Sequence, residues 1–188
     1  MKVIIVGLHD SGKKDIRKTL TEYGFKACPK FSGDPEAYDK YYDNKTIKEI
    51  FDNNAYLYID TLAGMPDIFV GALTSDWDNC EFITMSPREL MNITPLTQQQ
   101  MGEVTIIWMD SNRSTRFAYW NAEDGESDFN LLEEFERQGM QNFTEFIYNF
   151  PNSHILYFNN EEPSRVAAIA AAILKYNNLI PIFENSFK

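Results

Sequence analysis

The chain has 188 residues, a length that fits one compact domain with a small inserted subdomain. Hydrophobic residues make up 44% of the sequence and aromatic residues 14%, which excludes a disordered chain. The net charge of −11 argues against a general nucleic-acid binder, because such a protein needs a basic face to neutralise phosphates. The acidic excess is typical of a solvated surface, on which a few local cations can still form an anion site.

The cysteines and histidines are few and widely spaced. Cys28, Cys80, His9 and His154 predict neither a disulfide framework nor a metal site. No run approaches the ~20 apolar residues of a membrane span, and the apolar N-terminal run is only as long as a strand. We therefore expect a cytoplasmic protein with no membrane or nucleic-acid partner. The many Asn, Tyr and Phe residues are typical of an AT-rich genome such as that of a phage.

The most specific motif follows the first predicted strand. Residues 1–6 (MKVIIV) predict a buried strand, residues 7–14 (GLHDSGKK) match the phosphate-loop pattern G-x-x-x-x-G-K, and residues 13–23 predict a helix ending at Gly24. The glycines let backbone N–H groups turn toward an anion, and the helix N-terminus and Lys13 add positive charge. The candidate nucleotide-binding residues of the loop are Gly7, Asp10, Ser11, Gly12, Lys13 and Lys14.

One position of this motif differs from the usual pattern. The loop normally closes with Ser or Thr, whose hydroxyl holds Mg²⁺, and this chain has Lys14 there. The Lys14 ammonium either replaces part of the metal charge or faces solvent. Asp15 is the candidate metal ligand, although an acidic residue is also favoured in any first helical turn.

Beyond this helix, strands alternate with helices. The predicted segments are a short strand within residues 25–31, a turn at 32–35, a helix over 46–53, strands over 55–60 and 68–70 joined by a turn at 64–66, a strand over 80–85, a helix from residue 87, a strand over 104–109, helices over 112–121, 129–138 and 144–150, a strand over 154–158 and a helix over 162–176. Thr46 with Glu49 predicts a capping box, and Ser86 before Pro87 predicts an N-cap. The acidic segment 121–128 predicts an exposed connection. The alternation predicts a three-layer α/β fold with a parallel sheet.

Two predicted strands end in a carboxylate that could hold Mg²⁺. Asp60 belongs to the predicted hairpin, whereas Asp110 equally fits an N-cap of the next helix. The strand over residues 80–85 offers only Thr84 and Ser86 for this role.

Two arginines are the candidates for neutralising transferred phosphate. Arg113 and Arg116 are spaced i, i+3 on one helix, so both guanidiniums could clamp a phosphate. Ion pairing with Glu123 and Asp124 explains them equally well. An aromatic group could stack on a base or simply pack a small subdomain. Its members are Tyr38, Tyr41, Tyr42, Tyr56 and Tyr58.

The order of these pieces resembles the guanylate kinase family of P-loop nucleoside monophosphate kinases. The matching segments are residues 7–14, 43–54 (DNKTIKEIFDNN), 56–71, 80–85, 104–116 and 155–160 (ILYFNN) with the closing helix. The resemblance implies a P-loop NTPase-type parallel sheet with ATP and Mg²⁺ as cofactors. It also implies an inserted monophosphate-binding subdomain at residues 32–79 and a lid-like helical region at 111–150.

The positions that read the acceptor in that family differ here. The arginine-rich segment that grips the acceptor phosphate should precede Tyr41, where the chain has only Lys30 and Lys40. The guanine-reading glutamate falls at Tyr58, and the Gly-Thr-Ser at the hairpin end corresponds to residues 71–73 (GAL). The resemblance therefore makes Tyr41, Tyr58 and Gly71 the candidate substrate-binding residues, without support for strict GMP specificity.

Two functions follow from the sequence. In the first, the protein transfers the γ-phosphoryl of ATP to a (deoxy)nucleoside monophosphate, with Lys13, Arg113 and Arg116 as catalytic residues. In the second, an inactive domain of the same fold binds a protein partner or a nucleotide. Lys14 and the missing acceptor arginines favour the second, and the intact glycine loop favours the first.

Overall fold

The computed structural model describes residues 1–36, 38–62, 65–120, 125–138 and 140–176. The strands of this part are β1 (Lys2–Gly7), β2 (Phe31–Ser32), β3 (Lys40–Tyr41), β4 (Tyr56–Leu62), β5 (Met65–Leu73), β6 (Phe82–Met85), β7 (Val104–Asp110) and β8 (Ser153–Asn159). The helices are α1 (Lys13–Glu22), α2 (Asn44–Asp52), α3 (Thr74–Asp78), α4 (Pro87–Met91), α5 (Pro95–Gln100), α6 (Arg113–Tyr119), α7 (Gly125–Gln138), α8 (Phe143–Tyr148) and α9 (Pro163–Lys175).

A four-stranded parallel sheet forms the centre of the fold, with strand order β6-β1-β7-β8. Ile4 of β1 lies between Ile83 of β6 and Ile106 of β7. Its apolar strands are buried on both faces, as the continuous apolar runs of a parallel sheet require. The predicted α/β fold with a parallel central sheet is therefore confirmed.

Helices cover both faces of this sheet. On one face, Val3, Ile5 and Ile107 form a core with Ile16 of α1 and Val166 of α9. On the other face, the alternate residues of the same strands pack with α4 and α8. The buried residues of this second core that come from the strands and from these two helices are Ile4, Val6, Ile83, Met85, Leu90, Val104, Ile106, Phe143 and Ile147. The result is three layers around β1, whose carboxyl end leads into the glycine loop, residues 7–14.

A second four-stranded sheet has the order β3-β2-β5-β4 and contains the predicted hairpin of β4 and β5. Two ion pairs at its β3 edge connect this sheet to the helices: Arg17 of α1 with Asp39 at 2.8 Å, and Lys40 of β3 with Asp76 of α3 at 2.7 Å. The use of this sheet for a monophosphate, like the lid role of residues 111–150, stays a prediction.

Several local predictions are wrong. The cap of α2 is Asp43, whose carboxylate accepts from the Thr46 N–H, so the helix begins before the predicted Thr46 cap. Asn112, not Asp110, caps α6. Met65 and Pro66 of the predicted turn belong to β5, while residue 64 lies outside the described residues. Residues 125–128, predicted as a connection, form the first turn of α7.

The predicted Ser86 cap is confirmed, and it is a complete capping box with Glu89. The short helices α3 and α5 were not predicted, although Thr94 before Pro95 is a cap signal of the kind seen at Ser86. Within the described part of the chain, no helix is long and apolar enough to cross a membrane.

Candidate functional site

The glycine loop connects the end of β1 to the start of α1 through two positions that exclude a side chain. A Cβ on Gly7 would lie 2.4 Å from Ser11 Oγ, and a Cβ on Gly12 would lie 2.4 Å from Pro163 Cγ. Gly12 also has a φ of +88°, which disfavours other residues. No side chain caps α1 among the described residues, so the positive end of that helix is open to an anion.

The Lys13 side chain folds back over the loop. Its ammonium donates to the carbonyl oxygens of Gly7, at 2.6 Å, and Leu8. Burial, together with the charge of Lys30, lowers the pKa of Lys13 to about 8, while the charge of Glu136 opposes the shift. A bound anion would oppose this shift, because its negative charge would stabilise the protonated ammonium.

A carboxylate from α7 already lies on the loop. The backbone N–H of His9 donates to both oxygens of Glu136, at 2.9 and 2.8 Å, and only 8% of Glu136 is exposed. Burial raises the pKa of Glu136, with the charge of Lys13 opposing the rise. Burial, with the charges of Lys13 and Lys14, lowers the pKa of His9 to about 4, so the imidazole is neutral at pH 7.

The two α6 arginines differ in their surroundings. Arg116 is 1% exposed, and it donates to Ser111 O at 3.1 Å and to Glu133 Oε1 at 2.6 Å. Its buried Nη1 has no hydrogen-bond partner among the described residues. Arg113 lies at the surface and donates to Glu133 Oε2 at 3.0 Å and to Asn130 Oδ1 at 2.6 Å.

Glu133 therefore joins α7 to the arginines of α6. Burial raises its pKa, but the hydrogen bonds from Arg116 and Arg137 outweigh burial, and the net pKa is lowered. Both arginines are ion-paired with this carboxylate. The predicted partners Glu123 and Asp124 lie outside the described residues.

A buried ion cluster lies between the second sheet and α4, formed by Lys30, Tyr58, Asp60, Arg88 and Glu89. The Lys30 ammonium lies 2.9 Å from both oxygens of Glu89, and Tyr58 donates to Glu89 Oε1 at 2.9 Å. Burial raises the pKa of Glu89, but the charge of Lys30 and the hydrogen bonds outweigh it, so the net pKa is lowered. The second pair is Arg88 with Asp60, at 2.8 Å.

The ion cluster and the glycine loop lie near each other. Lys30 and Glu89 both act on the pKa of Lys13. Arg88 places its guanidinium 4.1 Å from the ring centre of Phe135, on the same helix as Glu136. Sequence reasoning missed the roles of Arg88, Glu89, Glu133 and Glu136. Only Glu89 had a local signal, because it stands three residues after Ser86, where a capping box has its glutamate.

The predicted substrate-binding residues are spread over the second sheet. Tyr41 is exposed on β3, whereas Tyr58 is fully buried in the ion cluster. Gly71 lies in β5, where a Cβ would meet Tyr58 O at 2.5 Å and the Phe31 ring at 2.6 Å. Glycine at position 71 therefore allows these strands and rings to pack.

The other tyrosines of the predicted aromatic group lie apart from one another. Tyr42 packs against Phe31, with ring centres 5.5 Å apart, and Tyr56 stacks on Phe51 at 5.7 Å. Tyr38 lies near the ion cluster, with its ring centre 5.6 Å from Lys30 Nζ. Burial and the charges of Glu89 and Asp60 raise the pKa of Tyr38, so its hydroxyl stays protonated.

The residues at the loop do not fit a protein-built magnesium site. Lys14 is exposed where the pattern has a hydroxyl, and Asp15 is exposed beside it. Asp60 pairs with Arg88, and Asp110 accepts a hydrogen bond from Tyr157 at 2.7 Å. Among the described residues, no group of three or more His, Cys, Asp and Glu side chains could hold a metal ion.

The fold is similar to that of a solved guanylate kinase. The crystal structure of guanylate kinase from Anaplasma phagocytophilum matches with a TM-score of 0.52 and 12% identity, covering 100% of this chain and 95% of that chain. Shikimate kinase from Acinetobacter baumannii, in complex with shikimate, matches with a TM-score of 0.42 and 14% identity over 100% of this chain and 95% of its own. No protein-family model and no curated protein sequence matches the chain. The likeness to guanylate kinase confirms the predicted resemblance at the level of the fold.

Proposed function

We propose that the protein is a nucleoside monophosphate kinase-like phosphotransferase, which moves the γ-phosphoryl group of ATP to a (deoxy)nucleoside monophosphate. The observation that supports this proposal most strongly is a pair of lysines, Lys13, which is half-buried over the glycine loop, and Lys30, which is buried in the ion cluster. Lys30 is close enough to lower the pKa of Lys13. A phosphate between them would be attracted by both cations and would remove the repulsion between them.

The glycine loop is the donor half of the proposed site. The backbone N–H groups of residues 7–12 and the N-terminus of α1 would bind the phosphates of ATP, and Lys13 would hold the β- and γ-phosphates. The buried Nη1 of Arg116 has no hydrogen-bond partner among the described residues, so it would be available to donate to the transferred phosphoryl group. Arg113, at the surface of the same helix, would act as the second cation. Positioning and charge supply most of the catalysis in this type of reaction, so the proposal needs no general base.

The ion cluster is the acceptor half. Lys30 and Arg88 would take the place of the acceptor-phosphate arginines that the guanylate kinase pattern has before Tyr41. The protonated Tyr38 hydroxyl would add a neutral donor at the ion cluster. Tyr41, exposed on β3, is the residue proposed to contact the acceptor nucleoside, while buried Tyr58 and Gly71 would shape this half of the site.

The metal is the part of the proposal in which this chain departs most from the pattern. Mg²⁺ bound to ATP would arrive with the nucleotide and offset phosphate charge. The Lys14 ammonium would supply part of that charge from the protein.

A nucleotide- or protein-binding domain without turnover is the second candidate. One observation favours it: Lys30 and Arg88 are each already paired with a carboxylate, Glu89 and Asp60. An acceptor phosphate would therefore meet neutralised cations. Such a domain would bind ATP at the loop or a partner at the ion cluster and release no product.

Phosphoryl transfer itself tests the first proposal. ATP and Mg²⁺ are incubated with the protein and each common ribo- and deoxyribonucleoside monophosphate, and diphosphates are separated by anion-exchange chromatography. We expect one monophosphate, or a small group of them, to give a diphosphate and ADP in equal amounts. The Lys13→Met protein is the matched control and should give none. ATP binding without any transfer would contradict the kinase and favour the binding domain.

A further inference from the structure

The Glu136 carboxylate of α7 lies on the glycine loop, where both of its oxygens accept from the His9 backbone N–H. We propose that this carboxylate is a built-in occupant of the nucleotide site, and that ATP binds only when α7 withdraws it. The inference rests on the proposed function, because it assumes that the loop binds a phosphate chain.

The contacts of Glu136 are those that an anion would make. Both of its oxygens accept from the His9 backbone N–H, at 2.9 and 2.8 Å, in the middle of the glycine loop. The charges of Lys13 and Arg116 both stabilise its ionised form. A phosphate at the loop would use the same backbone donor and the same cations, so the two anions exclude each other.

The rest of α7 holds the carboxylate in place. Phe129 is 1% exposed and packs edge-on against Phe117 and Trp120, with ring centres 5.1 and 5.4 Å away. Glu133, one turn before Glu136, pairs with Arg116 at 2.6 Å. Phe135 lies under the Arg88 guanidinium. The helix thus contacts α6, the loop and the ion cluster at the same time. We call this arrangement, in which Glu136 is bound to the loop, the closed state.

This arrangement predicts a cost for nucleotide binding. If the closed state dominates in the free protein, only a small fraction of the molecules has a loop that can bind ATP. The measured affinity for ATP is then the intrinsic affinity multiplied by that fraction. Weakening the carboxylate's hold on the loop should therefore strengthen ATP binding. An inorganic phosphate chain without a nucleoside would compete with the carboxylate in the same way, so its binding should become stronger as well.

The experiment compares four proteins by calorimetry: wild type, Glu136→Gln, Glu136→Ala and Glu134→Gln. Glu134 lies on the same helix with an exposed side chain, so its variant is the matched control. Each protein is titrated with ATP and with inorganic tripolyphosphate, with and without Mg²⁺. We expect both Glu136 variants to bind ATP and tripolyphosphate at least about tenfold more tightly than wild type. The Glu134 variant should stay within about twofold of wild type. Circular dichroism establishes that each variant is folded.

The outcomes separate this inference from the proposed function. If the wild type binds ATP and both Glu136 variants bind it equally well or more weakly, the inference is overturned and the kinase proposal stands. Weaker binding only in the presence of Mg²⁺ would identify Glu136 as a metal ligand and would also overturn it. Absence of ATP binding by all four proteins would overturn both. Hydrogen exchange adds a direct readout, because ATP should increase amide exchange in α7 of the wild type while protecting the loop.

Discussion

Gly12 lies directly against the ring of Pro163, so that a Cβ at position 12 would be 2.4 Å from Pro163 Cγ. The glycine loop is therefore held between the start of α1 and the first turn of α9, at opposite ends of the sequence. The shape of the loop depends on this contact as well as on the backbone freedom of glycine.

The contact predicts that Gly12→Ala destabilises the protein more than an alanine at a similar but open position. Gly102 is that control, because its φ is +72° and nothing lies within 4 Å of its Cβ position. Left-handed backbone should cost about 1–2 kcal/mol in both variants, and the clash with Pro163 should add to it only at position 12. Urea unfolding measures both. Equal losses would mean that Pro163 does not constrain the loop.

Lys14 stands where a magnesium-binding hydroxyl is usual, so Lys14→Ser should increase the effect of Mg²⁺ on ATP binding. The serine hydroxyl supplies an oxygen ligand and the variant removes a competing charge. Calorimetry with and without Mg²⁺ gives the ratio of the two affinities. Lys18→Ser, at an exposed position further along α1, is the control. If both variants keep the wild-type ratio, Lys14 takes no part in metal binding.

The lowered pKa of Lys13 predicts proton uptake when a phosphate chain binds. At pH 8, near its pKa of about 8, roughly half of the Lys13 side chains are neutral. A bound phosphate raises that pKa, so binding should take up about half a proton at pH 8 and almost none at pH 6. Calorimetry in buffers of different ionisation enthalpy measures the uptake. Uptake that is as large at pH 6 as at pH 8 would assign it to another group.

The ion cluster predicts a large stability loss for Glu89→Gln. The substitution leaves the buried Lys30 ammonium without its counter-charge, which should cost about 3–5 kcal/mol. Glu49→Gln is the control, because Glu49 is an exposed residue 4.0 Å from Lys45 and should change stability by less than about 0.5 kcal/mol. Urea unfolding at pH 7 compares them. The double variant Lys30→Met/Glu89→Gln should recover part of the loss. Similar losses for the two single variants would contradict the buried pair.

Much of the central fold could be predicted because its signals are local. The buried strand before Gly7, the two glycines and the helix after Lys13 follow one another in the sequence, and the structure keeps them adjacent. The same holds for the hairpin of β4 and β5 and for the Ser86 cap. The start of α2 was predicted wrongly, because Asp43 caps the helix and Thr46, the predicted cap, lies inside it.

The contacts that define the candidate site could not be predicted, because they join distant residues. Glu136 meets the His9 N–H across 127 positions, and Glu89 meets Lys30 across 59. Each of these glutamates belongs to an acidic chain in which most carboxylates are solvated, so composition and spacing do not distinguish them. Only the packing of α7 against the loop and of α4 against the second sheet reveals which carboxylates are buried.

The most direct test of the phosphate site is the titration of wild-type protein and the Lys13→Met variant with ATP and Mg²⁺ by calorimetry. Lys13→Met removes the positive charge over the loop and keeps most of the length of the side chain, and circular dichroism establishes that the variant is folded. We predict that wild type binds one equivalent of ATP and that the variant binds at least about a hundredfold more weakly. Equal affinities, or no ATP binding by the wild type, would contradict the assignment of the glycine loop as a nucleotide site.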